Sequence, residues 1–229
     1  KAILILHGKQ ASNEDVRTAV EHYREQGNAL DVRLTWEGGD AQRLVDEALQ
    51  AGYTQIIAGG GDGTLRDVAE AMALAKTDAS LALMPLGTAN DFARAAGVPL
   101  EPEHALALLA REPQAIDLGE VGGQVFLNMA TGGFGSQVTA NTSEDLKKVL
   151  GGAAYHWEGD LLALGIGNGR QAGGGHELCP EAVVDDGLLE ISILPAPTEV
   201  VGTLKSLLGG GGLETLFVRA RLPWIEINS

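Results

Sequence analysis

A strand-like run, Gln55–Ala58, passes directly into Gly59-Gly60-Gly61-Asp62-Gly63-Thr64, and a helical pattern bearing Val68, Ala69 and Met72 follows at once. No other feature constrains the fold so tightly. A strand, a glycine-dense turn and a helix in succession make a β-α unit, and such units assemble into parallel sheets with right-handed crossovers. The rest of the first half repeats the rhythm. Ala2–Leu6 reads as a strand buried on both faces, and Leu30, Val32 and Leu34 alternate as a strand does. Between them a helix is expected from a Ser12 cap, with Asp15 three residues on, Val16, Val20 and Tyr23 on one face, and a stop at Gly27. A second helix is expected from an Asp40 cap, with Leu44, Val45, Ala48 and Leu49 inward and Gly52 as its stop. Leu81–Met84 is a fourth strand, leading to Pro85-Leu86-Gly87-Thr88-Ala89-Asn90-Asp91.

After about Asp117 the pattern changes. Val125–Ala130, Leu161–Ile166, Leu188–Leu194, Leu216–Leu222 and Trp224–Ile227 read as strands, with helices expected only at Glu144–Leu150 and Glu199–Leu208. Strands gathered after a β-α series predict a separate β-rich domain, so the expected division is 1–117 and 118–229.

The glycine turn carries the strongest chemical signal. Its glycines permit positive φ and close backbone approach. Successive amides there form an anion nest, and the following helix aims its positive end at the same point, so phosphate binding is the natural use. Asp62 beside phosphates implies a cation or a ribose hydroxyl between them, and Thr64 offers a hydroxyl. The alternative is a glycine-rich β-α turn with a helix-capping Asp or Thr. The dinucleotide fingerprint is excluded because Arg66 stands where it needs glycine, and no glycine-rich loop ends in Gly-Lys-Ser/Thr as a P-loop must.

Charge narrows the partners. Sixteen Lys+Arg against 31 Asp+Glu leave a net charge of −15, which argues against nucleic acid and against tight docking on anionic lipid. The longest apolar runs fall well short of the ~20 residues of a membrane-spanning helix. No secretory-type leader is read, and one cysteine, Cys179, permits no internal disulfide, so a cytoplasmic location is expected. Cys179 reads as a small buried hydrophobe, and Trp36, Trp157 and Trp224 as packing residues.

Two segments in order, Gly60-Gly61-Asp62-Gly63-Thr64 and Pro85-Leu86-Gly87-Thr88-Ala89-Asn90-Asp91-Phe92-Ala93, resemble the diacylglycerol kinase catalytic family. Val32-Arg33-Leu34-Thr35-Trp36, Asn128-Met129-Ala130-Thr131-Gly132-Gly133-Phe134-Gly135, Gly165-Ile166-Gly167-Asn168-Gly169-Arg170 and Asp186-Gly187-Leu188-Leu189 look like the YegS-type bacterial lipid kinases. The resemblance spans nearly the whole chain. It implies an α/β, Rossmann-like nucleotide-binding domain of the NAD kinase/diacylglycerol kinase type, with a parallel sheet, joined to a β-sandwich domain, with the active site in the cleft between them. It implies an ATP-dependent lipid kinase whose acceptor is a phosphatidylglycerol or diacylglycerol-like lipid met transiently at the membrane surface. By motif, ATP contacts fall on Thr35, on Gly61, Asp62, Gly63, Thr64, Leu65, Arg66 and Asp67, and on Thr88. A metal site, for Mg²⁺ or Ca²⁺, falls on the Asp186 carboxylate and the carbonyls near Val183 and Leu188. Read without the resemblance, Val184-Asp185-Asp186-Gly187 is a β-turn entering a strand.

The family's catalytic base lies in a C-terminal Asp-Gly-Glu-like segment that these 229 residues do not contain, so no catalytic residue is named. The chain also opens at Lys1 within a strand-like run. A further C-terminal segment, and loops removed near Tyr155–His156 or Gly209–Gly212, are therefore expected. Membrane approach requires a local patch, for which Arg219 and Arg221, on one face of an expected strand, are the candidates. Two other functions fit the glycine turn: an NAD kinase-like enzyme with a soluble substrate, against which Pro85–Phe92 argues, and a nucleotide- or lipid-binding protein without turnover.

Overall fold

The computed structural model describes residues 1–141, 156–172, 174–196 and 216–228. The helices expected at Glu144–Leu150 and Glu199–Leu208 and the tract Gly209–Gly212 lie outside them. The chain forms two compact units, Lys1–Leu127 with Gln171–His176, and Asn128–Arg170 with Glu177–Ser229.

The first unit is built on four parallel strands, β1 (Ala2–His7), β2 (Leu30–Thr35), β3 (Gln55–Gly60) and β4 (Ser80–Pro85), in the order β2-β1-β3-β4. The two central strands are buried almost throughout, which is why they read as unbroken apolar runs. Five helices connect and cover them: α1 (Glu14–Glu25), α2 (Asp40–Gln50), α3 (Asp62–Ala75), α4 (Asp91–Ala95) and α5 (Pro102–Ala107). Leu4, Leu6, Ile57 and Met84 form one core with Val16, Ala19 and Val20 of α1 and Leu106 of α5. Leu4, Ile5, Ile56 and Ile57 are fully buried, each worth about 1.5–3 kcal/mol relative to exposure. A hairpin, β5 (Gly119–Val121) and β6 (Gln124–Phe126), completes this unit. Its two-residue loop, Gly122-Gly123, has φ of 58° and 80°, the primed turn whose twist matches the flanking strands.

Local chemistry departs from expectation at three points here. Asn13, not Ser12, caps α1, its side-chain oxygen accepting from the Asp15 and Val16 amides at 3.0 and 3.3 Å. Asp40 is the first residue of α2 rather than its cap, and its carboxylate reaches back to the loop before it. Val125–Ala130 is not one strand, because the chain leaves β6 at Phe126 and starts a new strand at Met129.

The second unit contains one antiparallel five-stranded sheet among the described residues, in the order β12-β11-β8-β7-β13. Its strands are β7 (Met129–Asn141), β8 (His156–Gly167), β11 (Leu189–Pro195), β12 (Val218–Leu222) and β13 (Glu226–Asn228). The short pair β9 (Gln171–Ala172) and β10 (His176–Glu177) forms a separate two-stranded ladder. The parallel α/β sheet and a strand-rich antiparallel remainder are the fold class expected from the sequence. No helix among the described residues is long and apolar enough to cross a membrane.

Candidate nucleotide site

The site is assembled where the parallel strands end. The order β2-β1-β3-β4 means the chain leaves β1 toward one edge and returns toward the other, and open α/β sheets bind ligands at such switch points beyond the strands' carboxyl ends. A cavity of about 850 Å³ opens on one side of that point, walled by the ends of β1 and β2, by the start of α2 and by a face of α3 from Thr64 to Leu74.

Of the two uses expected for the glycines of the turn, the structure shows one. Positive φ is not among their uses, for the left-handed glycines of the chain lie elsewhere. Close approach explains them instead. A Cβ on Gly60 would meet the Thr64 Cβ at 2.6 Å, and one on Gly61 would meet the Gly87 Cα at 3.2 Å. The glycine turn and the Gly87–Asn90 turn thus lie backbone to backbone. The second turn is locked by Asn90, which is buried at φ 51°. Its side chain accepts from the Gly87 amide at 2.9 Å and donates to the Gly87 carbonyl at 2.8 Å. Gly63 differs from the others, since a Cβ there would meet nothing within 4 Å and nothing in the protein demands glycine. No side chain caps α3, whose first-turn amides therefore face the turn without a side-chain acceptor.

Of the residues singled out by motif, the cavity brings together Thr35, Thr64, Arg66 and Asp67. Gly61 and Gly63 form the head of α3, and Thr88 is exposed on the turn beside Gly87. Leu65 is buried in the core, so its side chain cannot meet a ligand. Asp62 is turned to the protein rather than to a cation or ribose: its two oxygens accept from the Asp91 and Phe92 amides, each at 3.1 Å. Asp91 in turn accepts from the Gly174 and Gly175 amides at 3.0 and 2.8 Å. Arg66 is paired with Asp67 at 2.8 Å, and that carboxylate raises its guanidinium pKa further.

The cavity is also lined by residues not assigned an ATP contact by motif, among them His7, Lys9 and Trp36. Lys9 stands just after β1, at a strand end, which was a usable signal. Trp36 is 93% exposed and is not a packing residue.

The segment Val183–Leu188 forms a turn in the second unit. Asp186 accepts from the Leu188 amide at 3.0 Å, Gly187 takes φ 70°, and the other Asp186 oxygen is paired with the Arg221 guanidinium. No three His, Cys, Asp or Glu side chains converge among the described residues. Hard oxygen donors are present at Asp186, but its charge is already met by Arg221, so the turn as it stands does not fit a divalent cation. Arg219 lies 3.6 Å from Glu190, which is 1% exposed and whose carboxyl is pushed up by burial. Both arginines of β12 therefore face carboxylates, and the basic patch expected from them is neutralised.

Residues 1–121 match the diacylglycerol kinase catalytic domain. The chain belongs to that family. It is a kinase. A protein of Pseudomonas syringae pv. syringae, named probable lipid kinase YegS-like, is 70% identical over all of this chain and 83% of its own length. Its namesake in Pseudomonas aeruginosa PAO1 is 64% identical over all of this chain and 84% of its own. A crystal structure of a Bacillus anthracis diacylglycerol kinase superposes with a TM-score of 0.78 at 24% identity, covering all of this chain and 85% of that one, and shares the fold.

Cys179 is not among the residues that line the cavity. It is fully buried, its thiol donates to the Glu190 carbonyl at 3.4 Å, and burial pushes its pKa up from 9.0 to about 11. At pH 8 the thiolate fraction is then about 100-fold lower than in the unfolded chain. A thiol reagent is expected to label the native protein at least 100-fold more slowly than the urea-unfolded protein, with reaction rates followed by absorbance.

Proposed function

We propose that the protein is a lipid kinase transferring the γ-phosphate of ATP to the hydroxyl of a phosphatidylglycerol or diacylglycerol-like lipid, met transiently at the membrane surface. Phosphorylation of such an acceptor belongs to phospholipid metabolism in the cytoplasm. The observation that carries the reading is the paired turn. Gly61 and Gly87 meet at the head of α3, whose Thr64 lines the cavity, and Gly63 is exposed with open space where a side chain would stand, which leaves the backbone there accessible to a ligand. Uncapped amides at a helix start suit the phosphates of ATP, with Lys9 adding positive charge. Thr35, Thr64 and Thr88 offer hydroxyl donors, and the first-turn backbone of α3 offers the amides ahead of Leu65, whose own amide donates to the Gly61 carbonyl.

Mg²⁺ bound with the nucleotide supplies charge neutralisation at the phosphates. The protein's own part is to hold the chain of phosphates in one orientation and exclude alternatives. A second ion, Mg²⁺ or Ca²⁺, at Asp186 with the Val183 and Leu188 carbonyls requires Arg221 to move aside.

Incubation of the intact protein with γ-labelled ATP, Mg²⁺ and a bacterial lipid extract tests the reading. Label is expected in the organic phase, where chromatographic mobility identifies the acceptor. Label confined to the aqueous phase would point to a soluble acceptor, and ATP binding without any transfer to a binding protein.

A further inference from the structure

Trp36 combines two properties that rarely coincide. Its side chain is 93% exposed, yet the backbone beneath it is held rigidly. The Trp36 and Glu37 amides both donate to one oxygen of Asp40, at 2.7 and 3.1 Å. Asp40 is itself buried, and Arg43 clasps its other oxygen at 2.7 Å, which with those amides holds its carboxyl down at about 2. Just before Trp36, the Thr35 carbonyl lies so close to Gly8 that a Cβ there would collide with it. The loop is thus pinned at both ends. Fixing a loop opposes a considerable loss of backbone freedom, and here the largest side chain it presents is left in water.

Trp36 lines the cavity, and so does Leu74 on α3, itself 64% exposed. Thr64, at the head of the same helix, lines it as well. One cavity therefore has a polar end by the glycine turn and a wall carrying two exposed apolar side chains. Small-molecule sites are usually built this way, with an apolar lining and a few polar groups that fix orientation.

We infer that Trp36, which shares the cavity with Leu74, is the nucleobase platform of this site: the indole stacks on the base while the phosphates lie at the head of α3. The inference rests on reading the cavity as the nucleotide site. Stacking uses the π-face that every base possesses, so Trp36 supplies affinity without selecting adenine over guanine. Its pinned backbone means the platform is formed before the ligand arrives, which lowers the ordering cost of binding.

Calorimetric binding of ATP, GTP and inorganic tripolyphosphate to the intact protein and to Trp36→Ala and Trp36→Phe tests this. Trp36→Ala is expected to weaken ATP and GTP about 10- to 100-fold and to leave tripolyphosphate unchanged, with Trp36→Phe restoring most of the loss. ATP is also expected to quench the wild-type tryptophan fluorescence, and the quench is expected to vanish in Trp36→Phe. Unchanged ATP affinity in Trp36→Ala overturns the inference, as does an equal fall for ATP and tripolyphosphate, which would make Trp36 a structural element of the loop. A wild-type protein that binds neither ATP nor tripolyphosphate overturns the nucleotide-site reading itself. Because the side chain is almost wholly exposed, the alanine variant removes no core packing.

Discussion

Replacing Gly87 by alanine is expected to lower phosphotransfer by about 100-fold or more and to reduce the melting temperature by several degrees. The new Cβ would stand 2.6 Å from the Gly61 Cα and 2.8 Å from the Asn90 side-chain oxygen. Neither can give way cheaply. Gly61 is backbone at the N-cap of α3, and Asn90 is buried with both ends of its amide bonded to Gly87. Overpacking of this kind costs about 1–3 kcal/mol, and a shift of roughly 1 Å in a positioning element costs about 100-fold in rate. Gly63→Ala provides the contrast. Its Cβ meets nothing in the protein and the residue lies within α3, where alanine is favoured over glycine by about 1 kcal/mol. That variant is expected to melt no lower than wild type and yet to bind ATP poorly, because the added methyl occupies the space a phosphate needs. Thermal melts and ATP titrations on the two variants separate the cases. If Gly63→Ala bound ATP normally, the head of α3 would not be the phosphate site.

The two glycine variants also mark what can be read from a sequence and what cannot. The α/β half was legible because β1 and β3 are buried on both faces and appear as apolar runs, each closed by a glycine or a turn. Local windows also exposed the glycine turn itself. What they concealed was its partner: Gly61 and Gly87 touch only in the fold, so of positive φ and close approach, both open to a glycine turn, only the fold shows that close approach is the one used. Helix α4 has five residues, too few to show a helical period, and α5 began with a Pro102 signal that could have been used. The Gly122-Gly123 hairpin was equally readable as a primed turn. Trp36 was misjudged for another reason. Aromatic residues near a strand end usually pack, and only the structure shows a buried Asp40 holding the loop so that this one does not. In the second unit, the pairing of Asp186 with Arg221, contributed by β12, could not be seen from the Asp-Gly turn alone.

Asp62 supplies the other large effect expected here. Sequence reasoning made it a cation or ribose ligand, whereas its carboxylate accepts the Asp91 and Phe92 amides at the start of α4. Asn90 provides α4 with no side-chain cap, so Asp62 performs that service from a distant part of the chain. A helix of five residues does not hold itself together in water, and it needs such external partners. Asp91 continues the linkage to the Gly174 and Gly175 amides, so the head of α3, the head of α4 and that glycine turn form one series of carboxylate–amide bonds. Asp62→Ala leaves two helix amides without their charged acceptor, a loss of about 1–3 kcal/mol. Phosphotransfer is expected to fall about 10- to 100-fold as the Gly87–Asn90 turn loosens. Asp62→Asn should recover little, because an amide retains one acceptor oxygen and presents a donor to the second N–H. Hydrogen exchange distinguishes this from a ligand role. If Asp62 acts through α4, exchange at the Asp91 and Phe92 amides accelerates while ATP affinity stays within a few-fold of wild type. If the carboxylate instead meets the nucleotide or its cation, ATP affinity collapses and those two amides exchange at the wild-type rate.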